Sequence, residues 1–211
     1  MVLLVKPTMW VKERFYRIIL TKNKILFLII LATYIFSASI SRANLQENII
    51  KKLLLVETLS FNFNQKISDT EEKGECFIKY PLLMKCVYQD LKQKTIISNG
   101  KTIAVIKKKY KKIYYYPIKM TPLFFILKKE NIIKLLQTTE PTVVGSNLAS
   151  FSFFDKNQNE VKILFDINSL KLKGWITTDA YSNDVNFIIN NLKINNKLSD
   201  NLFKIPMEKD L

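Results

Sequence analysis

Few side chains in this 211-residue sequence could do covalent or metal chemistry. Cys76 and Cys86 are its only cysteines, and it has no histidine. Without an imidazole, Ser-His-Asp and Cys-His catalysis, histidine-ligated zinc and the usual general base near neutral pH are all excluded. Two thiols are too few for a zinc cluster. The four glycines fall in neither GxGxxG nor phosphate-loop spacing. No catalytic, cofactor-binding or metal-binding residue can be assigned, and the expectation is a protein that binds rather than catalyses. What the cysteines can do is approach each other. The runs from Gly74 to Tyr80 and from Met84 to Tyr88 flank Tyr80-Pro81 and read as two strands of a hairpin. Alternate strand residues share a face, so Cys76, Ile78 and Tyr80 point one way, and Met84, Cys86 and Tyr88 share a face on the partner. Cys76 then lies close to Cys86. They are either a disulfide, if the chain is exported, or two small apolar residues lining a pocket, because pairing depends on register.

That hairpin belongs to a meander over residues 74 to 127. Asn99-Gly100 is a hairpin signal of the type I′ kind, joining Thr95–Ser98 to Thr102–Lys107. A basic turn, Lys107 to Lys112, leads to Lys111–Tyr116. Thr121 then offers an N-cap and Pro122 a first helical residue for the unbroken apolar run from Leu123 to Leu127. Such a run is either core or a flap over something apolar. Lys128, Lys129 and Glu130 interrupt it, Asn131–Gln137 resumes a helical pattern, and Glu140-Pro141 ends it.

Before the meander, Asn44 to Thr58 has apolar residues at 45, 49, 53 and 56, the stripe of an amphipathic helix, with Asn44 and Glu47 as a capping pair. From Leu59 to Ile67 apolar and polar residues alternate, with Gln65 out of pattern, as in a half-buried strand. Asp69 to Lys73 reads as a polar turn. After the helices, Ala149–Asp155 and Glu160–Asp166 flank a turn at Lys156 to Asn159. Leu170–Ala180 and Val185–Leu192 flank Tyr181 to Asp184, and a last strand is expected at Leu202–Ile205. Strands on both sides of a helical stretch indicate an α+β domain on an antiparallel sheet.

Residues 1–43 read as targeting. Lys12, Arg14, Arg17, Lys22 and Lys24 form a positive region, Ile25–Phe36 an apolar one, and Ser41-Arg42-Ala43 a cleavage site before Asn44. The rival is an uncleaved anchor, for which the apolar run is short; Met9 is a second candidate start. With no cysteine near the cleavage point, the mature N-terminus is not expected to be lipid-anchored. Residues 44–211 then form one domain with 26 basic and 17 acidic residues, a net of +9. This excess can reflect nucleotide bias as well as function, and names no partner.

Several of these segments together resemble the outer-membrane lipoprotein carrier family. They are Phe63-Asn64-Gln65, Gly74 with Ile78-Lys79-Tyr80-Pro81, Ile97 to Lys101, Thr121-Pro122-Leu123 and Leu202 to Pro206, in order along nearly the whole mature chain. The resemblance implies an incomplete antiparallel β-barrel of about ten to eleven strands, with a helical lid enclosing an apolar cavity. It implies a monomeric periplasmic shuttle for acylated lipoproteins, loaded by an inner-membrane ABC transporter and unloaded to an outer-membrane receptor lipoprotein. On that basis Phe61, Phe63, Ile78, Tyr80, Met84, Cys86 and Tyr88 are expected to line the cavity, with Leu123, Phe124 and Leu127 as lid. The sequence departs from the family where Tyr80 replaces the usual arginine before proline, and where Ala104-Val105-Ile106 replaces aromatic residues. An envelope lipid- or lipoprotein-sensing domain on the same half-barrel is an alternative. Lys107, Lys108, Lys109, Lys111 and Lys112, followed by Tyr114 to Tyr116, suggest a docking rim for an acidic partner or anionic membrane. The same stretch could grip single-stranded nucleic acid, but an exported chain would not meet it, and no nucleic-acid partner is expected.

Overall fold

Every strand of the computed structural model pairs antiparallel with its neighbours in a single eleven-stranded sheet. The structure describes residues 44–154, 158–178 and 183–211. The targeting segment 1–43 and parts of the expected turns at 156–159 and 181–184 lie outside the described residues.

Helix α1 covers residues 44–54 and leads into β1 (Thr58–Ile67), β2 (Thr70–Lys79), β3 (Leu83–Tyr88), β4 (Lys94–Asn99), β5 (Thr102–Lys107) and β6 (Lys112–Pro117). The chain leaves the sheet for α2 (Leu123–Ile126) and α3 (Lys129–Thr138). It returns as β7 (Thr142–Val144), β8 (Leu148–Phe154), β9 (Glu160–Asp166), β10 (Leu172–Thr178) and β11 (Asp184–Ile194). The strand order is β6-β5-β4-β3-β2-β1-β11-β10-β9-β8-β7, so β6 and β7 are free edges and the sheet stays open. This is the incomplete barrel expected. Its concave face meets the inner stripes of all three helices in one core: Ile49 and Leu53 from α1, Ile126 from α2, Ile132 and Leu136 from α3.

Several local expectations are corrected. The β1–β2 connection is only Ser68-Asp69, and Glu71 to Lys73 extend β2 instead of forming a turn. The β4–β5 turn is centred one residue later than a type I′ Asn-Gly turn. Gly100 takes φ +92° as the first central residue, and Asn99 Oδ1 accepts the backbone N–H groups of Lys101 and Thr102. That is how glycine serves a type II′ turn. Thr121 does not cap α2: its hydroxyl donates to the Ile118 carbonyl (2.9 Å). Lys129 and Glu130, expected to interrupt the helix, are part of α3, and β7 is an additional short strand.

Leu202–Ile205 is not a strand. Ser199 Oγ accepts the Asn201 N–H, and Asp200–Phe203 forms a 3-10 turn. The tail then crosses the convex face. Ile205 and Leu211 pack on Ile97, Ala104, Ile106 and Ile113, a second apolar cluster on the outside of β4–β6. Glu208 Oε1 accepts the Ile113 N–H (3.0 Å), blunting the β6 edge. Lys79 pairs with Asp200 (2.5 Å). A second greasy patch on an otherwise solvated face favours a tail that covers it over one that extends an edge.

Cys76 lies directly opposite Cys86 in the β2–β3 register, and the two form a disulfide. Replacing both cysteines by alanine is expected to cost about 2–3 kcal/mol, the loop-closure value for so short a loop. Denaturant melts with and without reductant check this: the wild type should lose a similar amount on reduction, and the double variant nothing.

Candidate functional site

The concave wall is built by parity. Phe61, Phe63, Ile78, Met84, Cys86 and Tyr88 occupy inward positions of β1 to β3, and each is no more than 5% exposed. They belong to the packed core with the helices. Phe63 stacks on Phe187 (4.6 Å), which stacks on Trp175 (4.2 Å), and Tyr88 meets Phe63 edge-on (4.9 Å). This column requires Gly74, because a Cβ there would lie 2.6 Å from the Phe63 ring and 2.2 Å from the Val87 carbonyl.

Gln65, out of pattern in the sequence, also points inward and anchors a polar network at this end. The Tyr88 hydroxyl donates to Gln65 Oε1 (2.9 Å), and Gln65 Nε2 donates to Glu72 Oε2 (3.0 Å). Lys94 Nζ pairs with Glu72 (2.6 Å) and sits 3.8 Å from the centre of the Tyr88 ring. A buried polar group needs such partners.

The lid occupies the opposite end. Leu127 carries α2 out of helical geometry, and its carbonyl accepts the N–H of Leu82, which follows Pro81 (2.8 Å). Ser98 Oγ in turn donates to the Leu82 carbonyl (2.5 Å). Of the expected lid residues, Leu127 is fully buried, while Leu123 and Phe124 are half-buried. Ile126, not foreseen as a lid residue, is also fully buried.

Tyr80 reaches the lid without latching it. Its hydroxyl is buried and has no hydrogen-bond partner among the described residues. Burial, with the nearby Glu130 carboxylate, pushes its pKa above the ordinary phenol value. The polar ties of this segment lie between α1 and α3. Lys129 Nζ donates to the carbonyls of Val56 (2.8 Å) and Leu54 (3.1 Å) at the end of α1, where a cation also meets the negative end of the helix dipole. Gln46 Nε2 donates to the carbonyls of Leu136 (2.8 Å) and Thr139 (2.7 Å) at the end of α3. Neither contact could be read from the sequence, because the clamp joins residues 73 to 93 positions apart.

A groove of about 530 Å³ lies beside the lid, between α2, α3 and the end of β8. Phe124, Phe125, Leu135 and Phe153 give it an apolar base, and Phe125 stacks on Phe153 (3.7 Å). Met120 (72% exposed) and Phe154 (67% exposed) stand at its margin, with Lys119 and Lys134 beside them. Its volume falls in the range of about 300–1,000 Å³ usual for small-ligand sites. Of the residues expected for cavity and lid, only Phe124 borders it. The signal that could have found the rest is the Phe-Ser-Phe-Phe run at 151–154, which leaves an aromatic residue on the polar side of its strand.

The expected rim residues do gather. Lys107 ends β5, Lys108 and Lys109 lie in a 3-10 turn, Lys111 is left-handed, and Lys112 starts β6. The lid segment attaches at the other end of these strands, where the Ile118 N–H donates to the Lys101 carbonyl (3.1 Å).

An open antiparallel sheet with helices on its concave face and an apolar groove beside them matches what sequence comparison finds. Residues 55–206 match the family model described as outer membrane lipoprotein carrier protein LolA. The chain belongs to this family. Outer-membrane lipoprotein carrier proteins of Francisella tularensis subsp. novicida (strain U112) and subsp. tularensis (strain SCHU S4) are each 25% identical to it. The two alignments cover 87% of this chain and 94% and 95% of those relatives. A LolA superfamily protein from Nitrosomonas europaea overlays with a TM-score of 0.43 at 9% identity, covering 78% of this chain and 97% of that one. A conserved protein from Thermus thermophilus gives 0.48 at 7%, covering 78% and 94%. LolA-family membership makes lipoprotein carriage the role at family level.

Lys129→Met should remove both lid-to-α1 bonds, lowering stability by about 1.5–3 kcal/mol for a charged donor and speeding amide exchange in α3 before the sheet. The Tyr80 and Tyr88 phenols are both raised, Tyr88 by burial and by Glu72 and Asp90. Their contribution is therefore complete below the unfolded phenol pKa of about 10 and is lost as pH rises through the folded values. Alkaline unfolding curves should be shallower above pH ~10 in a Tyr80→Phe, Tyr88→Phe variant.

Proposed function

We propose that this protein is an exported carrier that covers the acyl chains of lipoproteins in the periplasm. It would receive them from an inner-membrane ABC transporter and pass them to a receptor at the outer membrane, acting as a monomer without catalysis. The observation carrying this reading is the groove beside the lid, apolar at its base with lysines at its margin. Family membership supports it, and the Cys76–Cys86 disulfide suits an oxidising compartment.

Exposed acyl chains cost about 0.8 kcal/mol per CH₂, so a sixteen-carbon chain demands cover worth on the order of 12 kcal/mol. α2, α3 and the link between them supply Ile126, Leu127, Ile132 and Leu136 to the concave face, so the interior is not left as an apolar void. Cargo would enter along the groove past Phe124. It would displace the lid and take its place against Phe61, Phe63, Ile78, Tyr80, Met84, Cys86 and Tyr88, with Leu123, Phe124 and Leu127 closing over it. The lid must be displaceable, and hydrogen bonds from Lys129 and Gln46 to helix-end carbonyls are easily exchanged for water. Tyr80, unpartnered beneath the lid, adds no charge to hold it down.

Phe124→Asp and Met120→Asp are the test. Burying one large apolar side chain is worth about 1.5–3 kcal/mol, so Phe124→Asp should weaken binding of a palmitoylated lipopeptide by about 10- to 100-fold. Exposed Met120 should matter less. Cargo recovered from the envelope in undiminished amount with Phe124→Asp would overturn this entry route.

A further inference from the structure

The corner of the sheet away from the lid carries six lysines on two touching segments. Lys92 lies in the β3–β4 loop, and Lys107, Lys108, Lys109, Lys111 and Lys112 surround the β5–β6 turn. The N–H groups of Lys108 and Lys109 donate to the carbonyls of Gln93 (3.4 Å) and Lys92 (3.5 Å), so the charges share one corner. All but Lys107 are exposed, and none is ion-paired among the described residues. The carboxylates of Asp90 and Glu208 border this corner: Asp90 accepts the backbone N–H of Lys94 (2.9 Å) and Glu208 that of Ile113 (3.0 Å), and neither forms an ion pair with the six lysines among the described residues. At the same corner Leu91 is 89% exposed and Tyr110 53% exposed. Lys107 Nζ lies 5.2 Å from the centre of the Tyr114 ring.

A solvated turn explains lysines, and one exposed leucine is ordinary, but Leu91 and Tyr110 are both more than half exposed at the same cationic corner. Unpaired cations around a protruding apolar tip, with tyrosines alongside, complement one kind of surface: negative charge over a shallow apolar layer. We infer that this corner docks the protein on an anionic phospholipid bilayer, with Leu91 and Tyr110 entering the headgroup region and the lysines facing lipid phosphates. The six-residue strands β5 and β6 hold this corner about 17–20 Å from the lid attachment, so the lid stays free on a docked molecule. Nothing in this inference depends on the carrier reading.

The test is co-sedimentation of the purified protein with vesicles of phosphatidylcholine alone and with added phosphatidylglycerol, at low and high salt. Binding is expected only with phosphatidylglycerol, and it should weaken with salt. Each lysine near an anionic surface is worth about fivefold in partitioning. A Lys108→Gln, Lys109→Gln, Lys111→Gln variant should therefore lose on the order of 100-fold. Leu91→Ala should lose severalfold at either salt concentration. Both variants should bind the palmitoylated lipopeptide as wild type does, which separates this result from the carrier test. Vesicle binding unchanged in the triple variant would overturn the inference. So would equally tight binding to polyglutamate or an oligonucleotide with no dependence on Leu91.

Discussion

The pairing of β1 with β11 is the contact on which the rest depends. It joins a six-strand half made before the helices to a five-strand half made after them. It closes a loop of more than one hundred residues, so its strands must repay a large ordering cost. They do so with a register running from Leu59↔Ile194 to Ile67↔Val185, interrupted by one bulge, and with the Phe63–Phe187 stack across the seam. Without it the two halves would be separate sheets, neither able to wrap the helices.

Joined this way, the sheet has a concave face too wide for its own side chains to fill. The protein meets this differently at its two ends. At one end, Gly74 makes room for the Phe63 ring, and the aromatic column is finished by a satisfied polar network around Gln65 and Glu72. At the other end, the filling comes from helices held to the sheet by few polar bonds. One end is thus closed by strand side chains and their polar network, while the other is filled by the fully buried Ile126, Leu127, Ile132 and Leu136 of α2, α3 and the link between them. Under the proposed carrier role, the helix-filled end is the one that would have to open, with acyl chains replacing the apolar contacts it gives up.

Charge is distributed on the same plan. Near α2 and α3, Lys129 serves specific carbonyls and Lys119 and Lys134 border the groove, whereas the six lysines at the far corner have no ion-pair partner among the described residues. The Glu72–Lys94 pair and the Asp90 turn keep that corner folded without neutralising its cluster. The proposed cargo handling and the proposed surface docking would then occupy separate parts of one sheet.

Strand parity, the helix stripe at Ile49 and Leu53, and the absence of histidine were legible in the sequence, because each depends only on residue type and local spacing. Local pattern also placed Cys76 opposite Cys86, although only the register joined them. It failed where distant segments compete for one partner. Leu202–Ile205 has strand composition, but the outer apolar patch of β4–β6 draws it across the sheet. Thr121 has capping chemistry, but its hydroxyl donates to the Ile118 carbonyl instead. The Lys129 and Gln46 clamps were invisible for the same reason, and the groove left only the aromatic run at 151–154 as a trace: each is assembled from segments that meet only when α3 settles between α1 and β8. Residue type and spacing were enough to say which faces are apolar and where the chain turns. Which apolar faces meet, and which stay open, was settled by the assembled fold, because that choice depends on the pairing of β1 with β11 and on no local signal.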